Sequence, residues 1–257
     1  MYSIGLHYVP EISRIYLRDL CGVDELDVRS SKSEDAIRLI NRLLVKNVNG
    51  QLANARLLPV AERDFLLAGI YQRIFGDRIE STVRCQKCNE PFDIDFNLSE
   101  LVNHLWDGKT TFVDRLLSDG SFQMKDGFHF RLPTGEDEYA VMNLSPENAK
   151  AALLKKCLYA DPTADSLMKL EEMMDKVAPL VETNLNGVCP ECNTSQEIFF
   201  SIQHFLLNAL LNEKKQTLRE IHRIAMSYKW SHSEIINLPR TVRKTYVSFI
   251  EKEMDYT

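Results

Sequence analysis

The chain has 257 residues, of which 44% are hydrophobic and 26% charged, and a formal net charge of −6. This length supports one large or two small domains with real cores, the composition is that of a globular rather than a disordered chain, and the acidic balance argues against a protein that coats nucleic acid along its whole surface. The N-terminus MYSIGLHYVPEISRIYL has no basic leader before an apolar block, and the chain contains no apolar run of membrane-spanning length, so neither export nor membrane insertion is expected.

The first legible element, IYLRDLCGVDELDV (15–28), reads as a short strand ending at Arg18, a turn at Gly22 and an acidic helix start at Asp24 and Glu25. Acids in a first helical turn complement the helix dipole, and an arginine on the preceding strand can pair with them. Two helices follow. SEDAIRLINRLLVKNV carries Ile37, Ile40, Leu43 and Leu44 on one face, and VAERDFLLAGIYQRIFG carries Phe65, Leu66, Ile70 and Ile74, with Gly76 as its C-cap. Next comes the Cys85-x-x-Cys88 pair in RCQKCNE and a strand-like FDIDF.

The segment DGKTTFVDRLLSDGSFQMKDG is polar and glycine-bearing and reads as a linker. Beyond it, FHFRLPTGEDEYAV (128–141) repeats the first element at an offset of 113, with Arg131, Gly135, Asp137, Glu138 and Val141 falling on Arg18, Gly22, Asp24, Glu25 and Val28. NAKAALLKKCL and SLMKLEEMMDKVAPLVETNL then fill the helix roles, and Cys189-x-x-Cys192 in VCPECNT repeats the first cysteine pair at an offset of 104. The flanks repeat as well: Ile94/Ile198, Phe96/Phe200, Leu98/Ile202 and Leu101/Phe205.

Two Cys-x-x-Cys pairs supply the four sulfurs of a tetrahedral site, so Cys85, Cys88, Cys189 and Cys192 are expected to bind one structural zinc between them. A redox pair needs a sulfur at a helix N-terminus, whereas strand-like runs follow both motifs; disulfides need an oxidising compartment. Four thiolates close the metal shell and leave no position for a catalytic water.

From Lys214 onward nine basic and five acidic residues give +4, against −10 for the rest. KKQTLREIHRIAMSYKW reads as a helix, Ser231 and Glu234 as a capping box, and Pro239 as the opening of a last helix. This tail is expected to be a separable docking element, with Tyr228, Trp230, Arg240, Arg243, Lys244 and Tyr246 as its contact residues, since Trp, Tyr and Arg anchor protein interfaces. The rival reading is a zinc-stabilised DNA-binding regulator that meets phosphates through Arg240, Arg243 and Lys244.

Enzyme signatures are missing. Gly108-Lys109-Thr110 resembles the end of a phosphate-binding loop, but Asn103 stands where the loop requires glycine. The histidines show no ligand spacing, and Cys21 and Cys157 have no nucleophile signature around them.

The run from Arg63-Asp64-Phe65-Leu66-Leu67 through Phe75-Gly76-Asp77 to the first cysteine pair and FDIDFNLSEL resembles the zinc-knuckle module of T4-type phage baseplate hub proteins and hub assembly chaperones. FRLPTGEDE resembles that family's second marker. The ending REIHRIAMSYKWSHSEIINLPRTVRKTYVSFIE resembles a tail of related phage and contractile injection system proteins. Asn89 and Asn193 depart from the glycine that many knuckles place after the second cysteine, and asparagine tolerates the left-handed conformation. The resemblance implies a nonenzymatic protein that builds or belongs to the central hub of a contractile tail baseplate. Its partners are then hub or other tail proteins, and its address is the host cytoplasm during assembly and the virion baseplate after it.

The expected fold is therefore α+β: two tandem helix-rich repeats with short strands that share one zinc-ribbon-like four-cysteine site, followed by a helical tail. The expected division is 1–106 for the first repeat, 107–127 for the linker, 128–212 for the second repeat and 213–257 for the basic helix-turn-helix tail.

Overall fold

A computed structural model describes residues 1–10, 12–46, 50, 52–106 and 115–255, and in it the chain is α+β. The elements run β1 (Tyr2–Gly5), β2 (Arg14–Leu17), α1 (Gly22–Asp27), α2 (Ser33–Leu43), β3 (Leu44–Val45), α3 (Val60–Phe75), β4 (Arg78–Arg84), β5 (Pro91–Asn97) and α4 (Leu98–Trp106). They continue with β6 (Arg115–Leu116), β7 (Ser121–Gln123), β8 (His129–Arg131), α5 (Gly135–Val141), α6 (Pro146–Cys157), α7 (Ala164–Val177), β9 (Glu182–Val188) and β10 (Ser195–Ser201). Three helices close the chain: α8 (Ile202–Tyr228), α9 (His232–Ile236) and α10 (Arg240–Asp255).

The chain divides into two compact units. One comprises Gly5–Arg14 and Asn54–Ile202. Its central helix α3 is buried nearly all round, including three charged residues in its first turns, Glu62, Arg63 and Asp64. Such charges need internal partners, because an unpaired buried charge costs several kcal/mol. Glu62 accepts from the backbone N–H groups of His7 and Tyr8, Arg63 forks onto Glu138, and Asp64 accepts from Val181 N at 3.2 Å. Around it lie the sheet β6-β7-β8 and an apolar cluster containing Phe122, Phe130, Cys157, Leu170 and Val177.

The other unit comprises Met1–Ile4, Ile15–Ala53 and Gln203–Thr257. It holds the sheet β1-β2-β3 and the helices α1, α2, α9, α10 and nearly all of α8. Its C-terminal core is Ile221, Ile224, Ile235, Val247 and Ile250.

Both copies of the Gly-x-Asp-Glu marker adopt one geometry. Arg18 donates to both carboxylate oxygens of Asp24 at 2.6 and 2.8 Å, and Cys21 N donates to Asp24 at 3.0 Å. In the second copy Arg131 grips Asp137 at 2.6 and 2.9 Å, and Thr134 N donates at 3.0 Å. Burial alone would raise the carboxyls, but the guanidinium and the backbone N–H outweigh it, lowering Asp24 and bringing Asp137 down to about 2. The two aspartates are thus helix-start clamps.

The glutamates that follow complete a second, larger repeat. Leu238-Pro239-Arg240-Thr241-Val242-Arg243 matches Leu58-Pro59-Val60-Ala61-Glu62-Arg63 as Leu-Pro-x-x-x-Arg. Pro239 forms an isolated β-bridge with Cys21, and Pro59 forms the equivalent bridge with Thr134. Arg240 N donates to Leu20 O at 2.7 Å, as Val60 N does to Pro133 O at 2.9 Å. Arg243 then pairs with Glu25, and Arg63 with Glu138. We call the Leu-Pro-x-x-x-Arg helix start the plug and the strand-turn-helix that receives it the socket.

Several sequence expectations change. The tail is not separable: the second repeat's closing helix and the tail's first helix are the single 27-residue α8. Arg240 and Arg243 do not form a basic surface, because Arg243 is fully buried and Arg240 is 5% exposed. Arg240 bonds Glu25 and Glu213, each at 2.5 Å, and Arg243 bonds Glu25 and, at 2.8 Å, Glu220. Of the linker, residues 107–114, including Gly108-Lys109-Thr110, lie outside the described residues; from Arg115 onward it is sheet, with Ser121 and Phe122 buried. The helix read through ETNL ends at Val177, and Glu182 begins β9, because Pro179 cannot continue the helix.

Two stability measurements test this account. Arg243→Ala should cost about 3–5 kcal/mol in chemical denaturation by stranding Glu25 and Glu220, whereas exposed Lys244→Ala on the same helix should stay within about 0.5 kcal/mol. Burial also raises Asp64 from 3.8 to about 7. A raised carboxyl contributes its stability fully below its unfolded pKa and loses it as pH climbs through the folded value. Asp64→Asn should therefore gain stability relative to wild type as pH rises from about 4 to about 7, then level off, in urea melts read across that window.

Candidate metal centre

β4 pairs with β5 antiparallel from Arg78↔Asn97 to Arg84↔Pro91, and β9 pairs with β10 from Glu182↔Ser201 to Val188↔Ser195. The second register equals the first shifted by 104 residues. Each hairpin tip is a Cys-x-x-Cys knuckle, closed by Asn89 N donating to Cys85 O and by Asn193 N donating to Cys189 O, both at 2.9 Å. Asn89 and Asn193 take φ values of 61° and 53°. Asparagine adopts this left-handed conformation more readily than other residues with a Cβ, so it does the work of the usual glycine.

The inner faces of the hairpins meet through Val83, Phe92, Ile94 and Ile198, packed with the cysteines. Phe96 and Phe200 meet edge to face, with centroids 5.1 Å apart. At Gly187 a Cβ would sit 2.6 Å from Ile198 Cδ1 and 3.2 Å from the Phe92 ring, so this strand position has room only for glycine without a shift of its neighbours. Gln196 ties the knuckles together: its Oε1 accepts from Gln86 N at 2.8 Å and its Nε2 donates to Arg84 O at 3.1 Å.

All four cysteine sulfurs lie within 4.8 Å of one another, with Cys85 and Cys192 at 3.5 Å and Cys88 and Cys189 at 3.7 Å. A tetrahedral ion with metal–sulfur bonds of about 2.3 Å sets its sulfurs about 3.8 Å apart, so the residues fit such an ion. The surroundings divide the thiols: against the Glu90 backbone N–H, burial and the neighbouring sulfurs push Cys88 up to about 12, whereas two others are lowered. The Thr194 hydroxyl and backbone N–H bring Cys192 down to about 6, and the backbone N–H groups of Cys88 and Lys87 lower Cys85. Neighbouring thiolate charges repel, and a cation at their centre neutralises them. The four cysteines named from the sequence are thus brought together, and they can hold a metal ion.

Gln196, Thr194 and Gly187 belong to no motif that the sequence displays. The repeat offset places Gln196 opposite Phe92 and Thr194 opposite Glu90, and those mismatches are the signal that marks them.

The tail residues divide. Tyr228, Trp230 and Tyr246 come together half-buried, with centroids 5.0 to 5.4 Å apart, and Phe249 extends the run at 6.3 Å from Tyr246. Phe249 is 47% exposed. Lys244 is exposed, whereas Arg240 and Arg243 are enclosed by carboxylates and cannot meet phosphates. Among the described residues no helix is long and apolar enough to cross a membrane.

No curated protein and no solved structure matches the chain significantly. The model of the T4 bacteriophage base plate protein family matches residues 7–160, more than half of the chain, and takes in both sockets, the first plug and the first cysteine knuckle. The chain belongs to the T4 bacteriophage base plate protein family.

Proposed function

We propose that this baseplate protein works at the central hub of a contractile tail as a nonenzymatic component, joined to other tail proteins by protein–protein contacts and held by one structural zinc. It acts in the host cytoplasm during assembly and at the virion baseplate. The observation that carries the docking role is the run Tyr228, Trp230, Tyr246 and Phe249, which presents a half-exposed aromatic surface on a helical frame. Aromatic side chains supply large contact area at low entropic cost, as interface anchors do. Supporting a scaffold role, the buried acids Asp24, Glu25, Glu62 and Asp137 are engaged by arginines or backbone N–H groups.

Phe249→Ala should leave denaturation within about 0.5 kcal/mol of wild type, as exposed substitutions do. It should reduce copurification of hub proteins from an assembling lysate at least about tenfold, the loss of a hot-spot anchor. Undiminished recovery would sink the docking reading. Mass spectrometry of purified particles beside that lysate separates a resident subunit from a transient chaperone.

For zinc, elemental analysis should find one equivalent per chain, lost in Cys189→Ser. Chelation should destabilise the protein, because structural zinc affinity, about 10–16 kcal/mol in small peptides, is coupled to folding. Two equivalents per chain, or four freely titrating thiols in the purified protein, would overturn the shared site.

A further inference from the structure

The plug and socket recognise each other without regard to how the chain connects them. In one unit the plug precedes its socket, with Arg63 75 residues before Glu138. In the other it follows, with Arg243 218 residues after Glu25. Despite reversed order and a threefold difference in span, the proline bridge, the backbone hydrogen bond and the arginine–glutamate pair are the same. The local motifs therefore carry the recognition, and a plug arriving on another chain satisfies the same socket.

The C-terminal plug also follows a left-handed joint. It is joined to α8 through Lys229, a non-glycine residue at φ 58°, and Trp230. A left-handed lysine costs about 1–2 kcal/mol, and running α8 straight into α9 relieves it. The socket is closely fitted: a Cβ on Gly22 would stand 3.0 Å from both Arg243 Nη1 and Ile236 O. We infer that the socket at Leu20–Glu25 is a docking site for the plug of a second copy of this chain, so that two copies pair by exchanging α9 and α10. Exchange of one identical element needs no new surface, since the contacts are those already made within one chain.

Two differently tagged full-length, metal-loaded chains, co-incubated near the about millimolar effective concentration of a tethered segment, test this by native mass spectrometry. A dimer carrying both tags is expected. Its fraction should rise about fivefold in Lys229→Val, which tolerates the left-handed hinge less well, and fall below wild type in Lys229→Gly, which tolerates it freely. Mixing Glu25→Gln chains, whose plug is intact, with Arg243→Gln chains, whose socket is intact, should give more mixed dimer than either gives alone. Chains that stay monomeric throughout, Lys229→Val included, would overturn the inference. So would a dimer whose yield is the same in Lys229→Gly and Lys229→Val; this comparison stands even where the Glu25 and Arg243 variants fail to fold.

Discussion

A buried carboxylate must be matched by cations, and Glu25 is the case on which the C-terminal half of its unit depends. It is 1% exposed and receives Arg240, Arg243 and the Thr217 hydroxyl. Removing a carboxylate from water costs several kcal/mol even after relaxation, and only well-formed hydrogen bonds offset that cost. The constraint fixes α10 against α1, and through Glu213 and Glu220 it fixes α10 against α8 as well. Ion-pair geometry sets the arrangement, and the apolar cluster of Ile221, Ile224, Ile235, Val247 and Ile250 fills the space around it.

The four-cysteine centre follows a second logic, symmetry with local exceptions. The hairpins repeat residue for residue, including the hydrogen bond that leads each into its helix: Leu98 N to Asp77 O at 2.8 Å and Ile202 N to Val181 O at 3.0 Å. Where the copies differ, the difference has a job. Phe92 fills the space between hairpins, while its counterpart Gln196 spans them with two hydrogen bonds. Thr194 lowers a thiol that Glu90, the equivalent residue, could not stabilise with a negative side chain.

The duplication was legible because its markers combine rare residue types at fixed spacing. Cys-x-x-Cys and Arg-x3-Gly-x-Asp-Glu stand out against any background, and both kept their local geometry. Leu-Pro-x-x-x-Arg does not stand out as a repeat, since three common residues at an offset of 180 carry little information and the two copies lie in opposite order relative to their sockets. A basic count says nothing of burial, so by itself it assigns Arg240 and Arg243 to the surface. Their partner Glu25 lies more than 200 residues away, and nothing local announces it. The junction at residue 213 failed for a related reason: no breaker separates HFLLNALLNE from KKQTLREIHR, and the continuous helical period from Ile202 to Tyr228 was itself the evidence for one helix.

The same connectivity separates the two plug contacts by the length of chain each spans. The unit made of Gly5–Arg14 and Asn54–Ile202 has all of its residues once Ile202 is synthesised, and its plug and socket both lie within it. The other unit lacks the cations for Glu25 until Arg240 and Arg243 appear near the end of the chain. Contacts that span so much sequence form late, because loop closure must be offset before they stabilise anything. The aromatic run inherits this timing. Tyr228 and Trp230 sit before α9, whereas Tyr246 and Phe249 sit on α10, so the four rings come together only when the last helix docks. A surface assembled in this way requires α10 in its place, which couples the docking of that helix to the appearance of the most interface-like patch.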